Sequence, residues 1–408
     1  MLGSAGLYNA LTVLEEKGAA TYRDTPRILT LNNRAATILD GQRVTYVVRS
    51  NGYTNQFVSE TMDAGLKLAD VDGLLCCGFG ETSTYELADY LGLDELAFVD
   101  GTCTGGSSWV TYVEHAMAAL ETGLCRVALI AHGSLAYTDR KRHLPIWPDP
   151  RSPINQFDQS LGGTFVTAHA LAAQRYIFDY GLGPEALAEV AVATRRWAAL
   201  NPLARFRTPL TVEEVRASRP ISTPLNLLDC CLISDGGGAV VLMRADAAAD
   251  TRKPVSVLGV GSSQGAFSMA GKTDLTRTPA LESGKRAFAM ADLDQSAIDH
   301  LMLYDSFTIT PVLAMEDLGF APRGHATKLI ADGVTSPGGR LPMNTNGGGL
   351  AFAHTGMYGV FTLIEAVTQL RGEAGEQPGP RSGAAAARGG DFPAPDRNRL
   401  PGGQAGSE

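Results

Sequence analysis

The chain has 408 residues, 44% hydrophobic, 19% charged and 7% aromatic, a globular composition in a chain long enough for two or three packed units. Its formal net charge of −9 supplies no basic field for phosphate backbones, which excludes a general nucleic-acid binder. No apolar run of about 18 residues is free of charge, and the start lacks a basic stretch followed by a cleavable apolar segment; no membrane span and no secretory signal are expected.

Residues 1–42 contain no clear opening strand. The first strong pattern is SETMDAGLKLADVDGLLCCG, a helix followed by a strand. It returns as RAFAMADLDQSAIDHLMLYDS, with Ala64 matching Ala291, Leu66 matching Leu293, Val71 matching Ile298, Asp72 matching Asp299 and Leu74 matching Leu301. A second echo pairs the Gly-rich turn and helix TCTGGSSWVTYVEHAMAALETGL with NTNGGGLAFAHTGMYGVFTLIEAVTQL. Two related α/β halves follow from this repetition. In the first of these helices Val110, Val113, Met117, Leu120 and Leu124 recur at three- and four-residue steps as one buried stripe. The following RVALIAHGS is a short apolar run, a buried strand. Helix and strand alternate in this way through both halves, which predicts sheets covered by helices on both faces.

Between the halves, residues 136–228 change character. Pro145, Pro148, Pro150 and Pro153 cluster there, followed by helical stretches around ALAAQRYIFDYG and PEALAEVAVATRRWAAL, which predicts a large insertion. Its Arg195, Arg196, Arg205 and Arg207 suit either an anionic substrate tail or a solvated face. SDGGGAVVLM and PVSVLGVGSS supply two further strands bridging the halves. After Arg371 the chain becomes rich in Gly, Pro, Ala and Arg, predicting a disordered tail where a closing strand is expected. Either the second half lacks that strand or the tail comes from a shifted reading frame.

Six cysteines occur without a CxxC, the usage of reducing cytosol rather than of a disulfide scaffold. A zinc site from Cys76, Cys77, Cys230 and Cys231 is disfavoured because neighbouring strand residues point to opposite faces. Cys103 stands in VDGTCTGGSSW, a glycine turn before a helix, where unpaired N–H groups favour a thiolate; the alternative is a small buried thiol. His354 follows the matching turn of the second half, so the repeat brings it towards the face of Cys103, and a Cys–His pair activates sulfur. His132 ends a predicted strand. Tyr304 and Asp305 close the strand HLMLYDSF, at a strand carboxyl end where ligands bind in α/β sheets. Tyr304 is suited to orienting a carbonyl or passing a proton, or to capping the core, and Asp305 to holding a neighbouring group. No GxxxxGK[ST] and no GxGxxG opening a βαβ unit occurs, so nucleotide binding has no support.

From about residue 55 to 371 these segments, with NPLARFRTPLTVEEVRASRPISTPLNLLDCCLISDGGGAVVL, LMLYDSFTITPVLAMEDLGF and LPMNTNGGGLAFAH, resemble the thiolase superfamily. The similarity is to the branch of sterol-carrier-protein-associated thiolases and proteins labelled lipid-transfer proteins or acetyl-CoA acetyltransferases. The resemblance implies a thiolase-like α/β fold: two similar halves in five layers, an inserted loop domain over the active site, and a homodimer. On this plan residues 43–135, completed by 229–250, form the N-terminal half, 136–228 the loop domain, 251–371 the C-terminal half, and 372–408 a tail.

It also implies coenzyme A thioesters as substrates, with no bound cofactor and no metal. Cys103 takes the nucleophile position and His354 that of its activating base; Tyr304 stands where relatives carry an Asn or His of an oxyanion hole. Asp305, Ser306, Asn346 and Gly348 are the candidate substrate-binding residues. The acid/base cysteine of a C-terminal Cys-x-Gly has no counterpart, since no cysteine follows Cys231. The leading expectation is an acyl-CoA C-acyltransferase of fatty acid or sterol side-chain metabolism working through an acyl-Cys103. Two alternatives stand beside it. One is a retro-aldolase cleaving steroid side-chain acyl-CoA esters with a small OB-fold partner, and the other a non-catalytic acyl-CoA or lipid binder. Loss of the closing strand would also predict poor solubility.

Overall fold

A computed structural model describes residues 83–138, 164–247, 254–266 and 269–375 continuously, together with residues 66, 68–77 and 158 and strands within 35–57 and 384–392. Three strands, β1 (Ala35–Asp40), β2 (Arg43–Ser50) and β3 (Tyr53–Phe57), form an antiparallel meander. The Pro145–Pro153 cluster lies outside the described residues.

The N-terminal half is built on a sheet of order β5–β4–β6–β9. Its strands are β4 (Gly73–Leu75), β5 (Phe98–Asp100), β6 (Val127–Ser134) and β9 (Gly236–Met243). β4 runs parallel to both β5 and β6, while β9 lies antiparallel to β6. Apolar residues alternate in direction along these strands, so each face acquires its own core. Leu74 and Leu129 pack with Ala88 and Leu93, at and beyond helix α1 (Thr84–Leu91). Leu75 and Ile130 point the other way, onto α2 (Ser108–Glu121). Val110, Val113 and Leu120 of the expected stripe are buried and Met117 partly so. Leu124 lies past the helix end and is exposed: the period of 3.6 applies only while the helix continues.

The inserted region supplies α3 (Phe165–Tyr180), α4 (Glu185–Leu200) and α5 (Val212–Ala217), followed by the short pair β7 (Pro220–Ser222) and β8 (Leu225–Asn226). Both long helices fall where the sequence pattern predicts them. Arg195 departs from the solvated-face reading: it is buried, donates to Thr208 O at 3.0 Å and lies over the Phe206 ring.

The C-terminal half consists of α6 (Ala280–Ala291), β10 (Ile298–Met302), α7 (Ile309–Asp317), α8 (Ala326–Ala331) and α9 (Gly359–Arg371). The segment 341–344 lies along β10, with Asn344 N donating to Leu301 O at 2.9 Å and Leu301 N to Pro342 O at 2.9 Å. On its other side β10 pairs in parallel with β11 (Ala384–Ala387), which turns back into β12 (Gly390–Phe392). The rest of 376–408 lies outside the described residues, and with it the expectation of a disordered tail. The predicted strand Pro254–Ser263 carries no ladder pairing. Gly259 and Gly261 instead press onto the α6 backbone around Ala287 and Ser283, where a Cβ has no space. Close packing against a helix takes the place of strand pairing there.

Leu301 packs with Phe288, Ile309 and Leu313, whereas its neighbour Met302 packs with Phe361 and Val360 of α9. Helices α2 and α9 therefore share a middle layer, reached by Ile130 from one sheet and Met302 from the other. The order is helix, sheet, helix pair, sheet, helix. This arrangement places the two glycine turns that precede α2 and α9 at one seam.

Candidate functional site

Tyr304 leaves the end of β10, and its hydroxyl stands 3.1 Å from His354 Nε2. It also accepts the backbone N–H of Tyr358, at the start of α9, at 3.1 Å. In the tautomer that carries its own proton on Nδ1, the imidazole accepts the phenol hydrogen on Nε2. The two rings meet edge to face at 5.8 Å. Burial keeps His354 neutral, pushing its pKa down to about 4, and raises that of Tyr304 far above the usual phenol range. An uncharged histidine beside an uncharged phenol is an acid/base pair available at neutral pH.

His354 is presented by a π-helical turn, Gly348–Phe352. Gly348 has φ +60°, and a Cβ there would fall on Asp305 Oδ2, so the turn needs glycine for both conformation and space. From within, Asp305 accepts Gly349 N–H at 2.6 Å on Oδ1 and Leu350 N–H at 3.3 Å on Oδ2. From outside, the segment 231–234 zips along the same loop. Cys231 N donates to Ser306 O at 2.8 Å, Leu232 N to Gly349 O at 3.0 Å and Ser234 N to His354 O at 3.0 Å. The Ser234 hydroxyl returns the interaction by accepting His354 N–H at 3.1 Å.

The remaining candidates fall around this centre. Asn346 Oδ1 accepts Gly348 N–H at 2.9 Å and the Tyr358 hydroxyl at 2.7 Å. Its carbonyl accepts from Asn201, just past α4, at 2.8 Å, which fastens the inserted region to the site. The Ser306 and Thr310 hydroxyls share a hydrogen bond at 3.2 Å, at the start of α7. Cys103 is exposed in the turn ahead of α2. That turn abuts the pair through Gly106, where a Cβ would fall on the Tyr304 hydroxyl. Tyr304 is thus bonded directly to His354 and Asn346 to Gly348, Asp305 holds the same turn through Gly349 and Leu350, and the Cys103 turn closes against the pair through Gly106.

Several residues at the centre escape sequence reasoning. Ser234, Tyr358 and Asn201 carry no motif. Cys231 is paired by its backbone with Ser306, and burial raises its thiol pKa well above the ordinary range, with a further push from Asp305. His132, legible only as a histidine at a strand end, is buried 4.2 Å from the Trp109 ring and bonds Thr355 Oγ1 at 2.7 Å through Nε2. Burial, reinforced by His354, lowers its pKa to about 3.

Residues 261–394 match the thiolase C-terminal domain-like family. An acetyl-CoA acetyltransferase of Methanothermobacter thermautotrophicus is 33% identical over 77% of this chain and 84% of its own length. A steroid side-chain-cleaving aldolase of Thermomonospora curvata is 34% identical over 78% of this chain and 84% of its own length. Among solved structures, the Ltp2-ChsH2(DUF35) aldolase superposes with a TM-score of 0.74 at 33% identity, covering 82% of this chain and 90% of that one. The chain belongs to the thiolase superfamily, in its sterol-carrier-protein-2-like branch. The relatives named here divide between acyl transfer and carbon–carbon cleavage.

Proposed function

We propose that this protein cleaves a carbon–carbon bond in a β-hydroxyacyl-CoA ester by a retro-aldol reaction, with Tyr304 and His354 as its acid/base pair. The observation that carries this reading is the 3.1 Å contact between the Tyr304 hydroxyl and His354 Nε2: the nitrogen that would activate a thiol is engaged by a phenol. In the reaction the Tyr304 oxygen takes the proton of the substrate's β-hydroxyl as its own proton passes to His354 Nε2. The Cα–Cβ bond breaks, its electrons move onto the thioester as an enolate, and a ketone or aldehyde departs. The proton returns through Tyr304 to Cα, leaving a shortened acyl-CoA. Every proton is accounted for and no oxidant is required. A small OB-fold partner that helps hold the acyl-CoA belongs to this reading; the similar solved aldolase is itself named with a DUF35 component.

The second reading is acyl transfer through Cys103. It is favoured by the exposure of that thiol in a glycine turn closing against the same pair. The two separate cleanly by substitution. Incubation with a CoA ester bearing a tertiary β-hydroxyl, followed by mass spectrometry of the products, should show a ketone and a shortened acyl-CoA. Under the retro-aldol reading Tyr304→Phe lowers that rate by about 10²–10⁴ while Cys103→Ala is mild. Acylated Cys103 after incubation with acetyl-CoA, and turnover lost in Cys103→Ala, would move the assignment to the acyltransferase. A homodimer, carried over from the resemblance, belongs to either reading.

A further inference from the structure

Asp305 is adjacent in the chain to one member of the acid/base pair and bonded to the loop that carries the other. Its side chain has no solvent exposure, so it is closed to direct contact with a substrate. Both carboxylate oxygens are used, Oδ1 on Gly349 N–H and Oδ2 on Leu350 N–H. The fit around it is tight: a Cβ on Gly348 would collide with Oδ2, and one on Gly349 would lie 3.2 Å from both Oδ1 and the His354 ring carbon Cδ2. The carboxylate and the edge of the imidazole thus border the same glycine, whose N–H the carboxylate holds.

We propose that Asp305 is the positioning residue of the Tyr304–His354 pair, its ionised carboxylate holding the Gly348–Phe352 turn at the distance from β10 at which the phenol and the imidazole meet. This inference rests on the retro-aldol reading for its kinetic consequence, though not for its geometry. A carboxylate accepts from two N–H groups at once; a protonated carboxyl offers one of its oxygens as a donor, and one N–H loses its partner. Burial pushes the Asp305 pKa up to about 7, against the pull of the two backbone N–H groups. The ionisable groups facing it are Tyr304 on its own segment, Cys231 on the strip beside it and Tyr358 at the start of α9, all raised by burial. His354 lies beyond the turn and stays neutral above about pH 4. None of these titrates near neutrality, so a change there belongs to Asp305.

Two measurements on the full chain test this. The first is histidine-selective NMR of the wild-type protein between about pH 5.5 and 8.5, with His354→Gln assigning the signal. The His354 resonances should shift with an inflection near pH 7 although the ring itself does not titrate there; a flat trace across that range overturns the proposal. The second is steady-state cleavage of the β-hydroxyacyl-CoA by Asp305→Asn, which keeps the shape but removes the charge. The expected result is kcat lower by about 100-fold with KM nearly unchanged, and loss of the activity limb that falls below pH 7. A variant that folds and keeps both kcat and that limb overturns the proposal; one that does not fold leaves the decision to the wild-type NMR trace. Should Tyr304→Phe cleave the ester normally, the retro-aldol reading fails while the His354 inflection still decides the role of Asp305.

Discussion

Gly359 at the start of α9 faces the carbonyl oxygen of Gly106 so closely that a Cβ cannot be fitted between them. The glycine turn that precedes α2 is thus in direct contact with the start of α9. Gly359→Ala forces a backbone oxygen to move and should destabilise the protein by about 1–3 kcal/mol, the usual cost of overpacking. Gly106→Ala should act differently, because its Cβ meets the end of a side chain, the Tyr304 hydroxyl. Its expected signature is loss of cleavage activity out of proportion to the change in urea midpoint.

Ser234→Ala removes the acceptor of His354 N–H and leaves the backbone bond from Ser234 N to His354 O in place. An unsatisfied buried N–H costs about 1–3 kcal/mol. The variant should melt lower by a matching amount and lose part of its activity, without the near-neutral pH change expected of Asp305→Asn. Thermal denaturation and a pH–rate profile measured on the same preparation would test both.

Thiol chemistry should single out Cys103. It is exposed, whereas burial raises Cys76 and Cys230 to about 12 and Cys77 and Cys125 to about 11. Thiolate, not thiol, attacks alkylating agents. Cys231 is raised further still by burial, so brief iodoacetamide treatment of the folded protein, followed by peptide mass spectrometry, should label Cys103 first and the five raised thiols only on denaturation. Equal labelling of Cys125 in the native state would contradict the burial described.

Stability should fall on acidification below about pH 6.5. His132 and His300 are held at about 3 and His354 at about 4, in each case by burial, against an ordinary value of 6.5. Between those limits the unfolded chain binds more protons at these sites, so their contribution is present above pH 6.5 and is lost as pH falls. Asp305, at about 7 against 3.8, acts in the opposite sense: the folded state binds the extra proton, and its contribution is lost as pH rises through that window. Asp229 is raised by burial and acts in the same direction as Asp305. Three groups oppose two, so urea midpoints should drop from pH 6.5 towards pH 5. His300→Gln, at a residue that bonds Thr345 beside Asn346, should make that slope shallower.

The architecture is readable from the chain because repetition is a one-dimensional signal. The stripe through Val110, Val113 and Leu120 and the run at Val127–Ser134 fix a helix and a strand without knowledge of what they touch. Cys103, Tyr304 and His354 stand out for a related reason, since glycine turns and strand ends are local features. What holds them is not local. Ser234 meets His354 across 120 residues and Asp305 meets Gly349 across 44, and neither residue type announces a loop-binding role. The arginines show the converse: Arg195 reads as a surface charge in composition, yet the Phe206 ring and the Thr208 carbonyl hold it inside. PVSVLGVGSS has the composition of a strand, but its glycines serve helix contact, which only the neighbouring α6 reveals.

The bonds that the strip 231–234 makes to the π-turn, together with the bond from His132 in β6 to Thr355, join the N-terminal half to the loop that carries the imidazole. Tyr304 and His354 themselves both come from the C-terminal half. On the retro-aldol reading the acid/base pair is therefore encoded in one half and its alignment enforced by the other. A C-terminal half produced alone would own every atom of the acid/base pair and still lack the clamp that sets its spacing. Under the proposed retro-aldol reaction, cleavage would therefore report on docking of the two halves as well as on the pair itself.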